Sequence, residues 1–147
     1  MIAKIISRDH YRADACVVWC FDDRFAGLLE DFIKAKNFRR VDLIKVAGGA
    51  KDLVGFSDTI TCDSKQSYLL DQIAKSIKLH QTPLVILMVH ADCGAYGKKF
   101  ETVLEEQEFY RGELNKAEAV VRKFLAENHL EARIEKYFAD FEGLNKV

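Results

Sequence analysis

A chain of 147 residues, 49% hydrophobic and 31% charged, is sized for one domain with a packed core, and that composition excludes extended disorder. Its 22 Lys and Arg face 23 Asp and Glu, and a net charge of −1 excludes a basic field that recruits nucleic acid or an anionic membrane non-specifically. The apolar runs, among them residues 84–89, fall far short of the roughly 20 residues needed to cross a bilayer.

Before the first element, residues 1–12 carry Lys4, Arg8, Asp9 and Arg12 without an unbroken apolar stretch. They do not read as a signal peptide, and a soluble cytoplasmic domain is expected. In a reducing setting the four cysteines, Cys16, Cys20, Cys62 and Cys93, are expected as free thiols.

Residues 15–20 form a short continuous apolar run, which suits a central parallel strand buried on both faces. From Arg24 the period changes: Phe25, Leu28, Leu29, Phe32 and Ile33 recur at helical steps and make one apolar face. Residues 41–46 read as a second, less buried strand, followed by a loop holding Gly48 and Gly49. Asp63 or Ser64 is placed to cap the next helix, with Leu70, Ile73, Ala74 and Ile77 on its inner face. Pro83 opens a third strand over residues 84–89, again unbroken in apolarity. A loop over 90–97 leads to a helical stretch over 100–127, where Gly112 predicts a break or bend. Leu114, Ala117, Val121, Phe124 and Leu125 keep helical spacing beyond that glycine. Residues 132–138 form a more polar strand, suited to a sheet edge.

Alternating strands and helices predict a single α/β domain over residues 1–147, three-layered, with a mainly parallel central sheet and helices on both faces. If the first strand lies centrally, flanked by the second and third, a topological switch point falls between strands one and three. Ligands of such sheets bind there, beyond the carboxyl ends of the strands.

Two motifs stand at those ends: Cys20-Phe21-Asp22-Asp23-Arg24 and His90-Ala91-Asp92-Cys93-Gly94. Strands about 4.8 Å apart can deliver Cys20, His90 and Cys93 to one point. Two thiolates and an imidazole suit tetrahedral zinc. Asp22 could be the fourth ligand, or could hydrogen-bond a water there while Arg24 holds it in a bidentate pair. The first arrangement closes the site and the second leaves it open, so Asp22 and Arg24 constitute a switch. The competing view of each residue is plainer: a cysteine filling a strand end, and a surface ion pair at a helix start.

Cys20-x-Asp22-x-Arg24, followed about seventy residues later by His90-x-x-Cys93-Gly94, resembles the signature of the β-class carbonic anhydrases. The likeness covers residues 14–98, and Gly48-Gly49 is similar to the glycine-bearing loop of that family's active site. It implies reversible hydration of carbon dioxide to bicarbonate by a metal-bound hydroxide. Cys20, His90 and Cys93 would be zinc ligands, Asp22 an orienting carboxylate or fourth ligand, Arg24 its partner, and Gly48 and Gly49 pocket-lining. A homodimer, or a multiple of dimers, with a pocket completed by the neighbouring subunit is also implied. The alternatives are a non-catalytic zinc-binding protein of the same fold, or a hydrolase of a small molecule such as carbonyl sulfide or carbon disulfide.

The remaining polar residues have blander expectations. Asp23 and Asp92 read as solvated or capping residues, Cys16 as core, Cys62 as structural, and His10, His80 and His129 as surface groups. Gly48-Gly49 lacks the spacing of a phosphate loop.

Overall fold

A computed structural model of the protein describes residues 4–55 and 64–147. The apolar runs become strands β1 (Ala15–Trp19) and β3 (Leu84–His90), every residue of which is buried. Such runs have no solvent face to alternate with, so both strands lie inside a sheet covered on two sides. Strand β2 (Val41–Lys45) is only half-buried, as its Asp42 and Lys45 require. Strands β4 (Arg133–Ala139) and β5 (Leu144–Lys146) complete a five-stranded sheet in the order β2-β1-β3-β4-β5. Pairing is parallel except between β4 and β5.

Helix α1 (Ala26–Ala35) covers one face of the sheet, with Phe25, Leu29 and Phe32 against Ala15, Val17, Trp19, Ile86 and Met88. Helices α2 (Ser64–His80) and α3 (Val103–Glu127) cover the other, with Leu69, Ile73, Tyr110, Leu114 and Val121 against Cys16, Val18, Val85 and Leu87. The expected three-layer α/β architecture is present, with β1 between β2 and β3. Among the described residues, no helix is long and apolar enough to cross a membrane.

Several local expectations need correction. Helix α3 runs unbroken through Gly112 and begins after an N-cap at Thr102, whose hydroxyl accepts from the Glu105 amide at 3.1 Å. One glycine costs a helix only about 1 kcal/mol, less than the burial of Tyr110, Leu114 and Ala117 returns. Strand β4 is not the sheet edge, because the short antiparallel β5 lies outside it. His80 is not a free surface group: its Nδ1 lies 2.7 Å from Asp42 Oδ2, a carboxylate that also accepts from Tyr11 Oη and Ser76 Oγ. Cys16 is core, as expected, and burial pushes its thiol up to about 12. The expectations for Cys62 and for Asp63 as a cap lie outside the described residues.

Gly49 has a positive φ of 58°, and a Cβ there would stand 2.3 Å from the Met88 carbonyl oxygen and 3.1 Å from the Cys20 amide nitrogen. No side chain fits, since backbone lies on both sides. Gly49→Ala is expected to destabilise the fold by about 2–4 kcal/mol. Gly112→Ala, with nothing within 4 Å, should stabilise it by roughly 0.5–1 kcal/mol. Urea unfolding of both variants checks this contrast.

Candidate metal centre

Strand β1 ends one residue before Cys20, and β3 ends on His90. Their parallel register, Cys16 beside Val85 and Val18 beside Leu87, brings the two carboxyl ends level. Side chains alternate across the sheet, so Cys20 follows Cys16 and Val18 onto the α2/α3 side. His90 follows Ile86 and Met88 onto the α1 side, with its ring 4.6 Å from Phe25 and 6.0 Å from Trp19. The donors therefore meet at the sheet rim, where the two cores join, and the turn after His90 supplies Cys93.

The ligand atoms of Cys20, His90 and Cys93 lie within 4.8 Å of one another, and all three residues are buried. His90 Nδ1 is 2.8 Å from the Ala91 carbonyl oxygen. A carbonyl only accepts, so Nδ1 carries the proton and Nε2 keeps its lone pair. That Nε2 is buried without a hydrogen-bond partner. Burial lowers the proton affinity of His90, which favours the neutral, ligating imidazole. It also pushes the Cys93 thiol up to about 11, and the neighbouring Cys20 adds to that rise. The two thiols and the orphaned imidazole nitrogen share one buried corner, where ionising the thiols needs a positive charge. A divalent cation supplies it and binds thiolates even where their free pKa is high. The donor set thus fits a metal ion. The Gly48 amide donates to Cys20 Sγ at 3.3 Å, made possible by the left-handed φ of 80° that Gly48 adopts.

Asp22 and Arg24 stand just outside this group. Arg24 Nη2 donates to Asp22 Oδ2 at 2.7 Å, and Nε lies 3.1 and 3.2 Å from the two oxygens. The guanidinium holds the Asp22 carboxyl down at about 2. Asp22 also caps the 3-10 turn at Asp23–Phe25 by accepting from the Arg24 amide at 3.1 Å. Its Oδ2 lies 3.9 Å from His90 Nε2, so the carboxylate flanks the donor group while bound to Arg24. Gly48 and Gly49 are buried beside Cys20, the latter with no room for a side chain.

Asp92 is solvated, as expected, with a side chain 72% accessible, and it is also tied to Arg24. Arg24 Nη1 donates to Asp92 Oδ2 at 2.9 Å and Nη2 to its carbonyl oxygen at 3.1 Å. The Asp92 amide in turn donates to Glu106 Oε1 at 2.7 Å, in the first turn of α3. Only the position of Asp92 between two candidate ligands could have singled it out. Glu106 carried no signal in the sequence at all.

Zinc titration of the purified protein is expected to saturate at about one ion per chain, the capacity of a single tetrahedral site. Cys93→Ala should abolish that uptake, and full occupancy in the variant would contradict the ligand set.

No protein-family model matches the chain, and no curated protein matches it by sequence. Solved structures do. The β-carbonic anhydrase isoform I of the protozoan Trichomonas vaginalis is similar at a TM-score of 0.60 and 18% identity, over 97% of this chain and 87% of that one. One of two tetrameric β-carbonic anhydrases from the ascomycete Sordaria macrospora is similar at 0.51 and 13% identity, over 93% and 81%. The carbonic anhydrase of Glaciozyma antarctica is similar at 0.50 and 22% identity, over 93% and 83%. With nearly its whole length superimposed on the Trichomonas vaginalis enzyme, the chain has the fold of the β-carbonic anhydrases.

Proposed function

We propose that the chain is a diverged β-class carbonic anhydrase, a single α/β domain that holds one zinc ion and hydrates carbon dioxide reversibly to bicarbonate. The observation that carries this reading is the orphaned His90 Nε2, grouped with two buried thiols and flanked by a carboxylate that Arg24 restrains. Cys20 Sγ, His90 Nε2 and Cys93 Sγ would hold the ion. Bound zinc supplies a Lewis acid that brings the pKa of a coordinated water to about 7.

The chain's own residues set the conditions for that chemistry. Asp22, with a carboxyl held at about 2, is anionic at any working pH. It therefore accepts a hydrogen bond from the reacting water and orients it, and it never supplies the proton. Arg24 keeps the carboxylate from becoming a fourth ligand. The Gly48 amide spreads the charge of Cys20. Trp19 and Phe25 wall off the far side of His90 and exclude solvent there. Gly48 and Gly49 are assigned to the floor of the substrate pocket.

We further assign the working form to a homodimer or a multiple of dimers. Phe21, adjoining Cys20, and Phe141, beside Arg24, are 62% and 68% exposed, two large apolar side chains suited to cover by a second copy. The Sordaria macrospora proteins, described as tetrameric, support this. A cytoplasmic location suits the free thiols of Cys16, Cys20 and Cys93.

Stopped-flow hydration of carbon dioxide by zinc-loaded protein tests the reading directly. Turnover above the uncatalysed rate is expected, and a zinc-loaded protein without it would leave the non-catalytic alternative. Asp22→Asn should retain zinc and lose about 10- to 100-fold in turnover, the usual cost of misplacing a group around a metal. Light scattering is expected to report a dimer or larger assembly; a monomer with full turnover would refute the completed pocket.

A further inference from the structure

We propose that Asp92 is a positioning residue of this site, anchoring Arg24 so that Arg24 keeps Asp22 off the ion. The consequence for coordination rests on the zinc reading above; the anchoring itself does not.

A guanidinium has five N–H donors in a rigid fork. Asp22 engages Nε and one side of Nη2. Asp92 engages two of the remaining three, one on Nη1 through its carboxylate and one on Nη2 through its carbonyl. Asp22 is only two residues from Arg24 and caps the same 3-10 turn, so this pair is local to one segment and does not tie the guanidinium to the His90–Cys93 loop. Asp92 does, because it lies between His90 and Cys93 in the chain. Its own backbone is preset by a positive φ of 50° and by the bond from its amide to Glu106. Phe25 and Phe141 flank the same guanidinium, each ring centre 5.7 Å from its carbon.

Arg24 and Asp92 are partly solvent-exposed, with side chains 46% and 72% accessible. An exposed pair adds little to folding. What the contact provides is orientation. Asp22 Oδ2 lies 3.9 Å from His90 Nε2, so a small swing of an untethered Asp22–Arg24 pair would bring the carboxylate to the ion. Asp92 biases that choice toward the open coordination position.

Two variants separate orientation from structure. Asp92→Gly removes the carboxylate and tolerates the positive φ. Asp92→Asn keeps an acceptor oxygen and also tolerates that backbone. In NMR of the purified protein, hydrogen exchange of the Arg24 Nε–H is expected to accelerate about fivefold or more in Asp92→Gly and to stay within about twofold of wild type in Asp92→Asn. Unchanged exchange in Asp92→Gly would overturn the proposal. In cobalt-substituted protein, titrated with azide as a probe of the open position, Asp92→Gly should bind about fivefold more weakly, since apparent affinity scales with the fraction of open sites. Faster exchange with unaltered azide affinity would overturn the link from Arg24 to Asp22. A wild-type chain that takes up no cobalt would refute the metal reading and the coordination consequence, while the exchange comparison would still decide the anchoring.

Discussion

The parallel pairing of β1 with β3 is the constraint on which the rest depends. Both strands are apolar throughout, so each must be covered on two faces, and a central place in the sheet provides that. Their register brings Cys20 and His90 level at the carboxyl ends. Because the pleat alternates, one donor arrives from the α2/α3 side and the other from the α1 side. The corner that gathers the three candidate ligands is thus the seam of the two cores, and it cannot form unless both layers pack.

Electrostatics divides the site into a dry interior and a wet border. Inside, burial raises the Cys93 thiol and disfavours a proton on His90, so the uncharged forms prevail until a cation arrives. The Ala91 carbonyl selects the tautomer, aiming an unpartnered lone pair at the two sulfurs. At the border, charges are satisfied by one another: Asp22 and Asp92 share the guanidinium of Arg24. The interior gathers the candidate donor atoms, and the border surrounds them with paired charges.

Much of this was legible from residue pattern. Unbroken apolar runs marked β1 and β3, and period-3.6 patterns marked α1 and the inner face of α3, because burial writes itself directly onto spacing. The motifs around Cys20 and His90 sat at strand ends, where the open edge of an α/β sheet collects ligands. Three features were not legible. Strand β5 is only Leu144–Lys146, too short to carry a period. The continuity of α3 through Gly112 reflects packing on both sides of that residue, which outweighs a local helix penalty. The pairing of His80 with Asp42 joins residues 38 positions apart, and neither neighbourhood signals the other.

Sequence alone determined the layered α/β class, the positions of its main strands along the chain and the donor types that stand at their ends. Those properties follow from local composition and from short-range periodicity. Only the tertiary structure decided which nitrogen of His90 stays free, that the Gly48 amide meets Cys20 Sγ, and that Arg24 divides its donors between Asp22 and Asp92. Each of these depends on the relative placement of side chains to within a hydrogen-bond length. Long-range packing sets that placement, and no spacing along the chain encodes it.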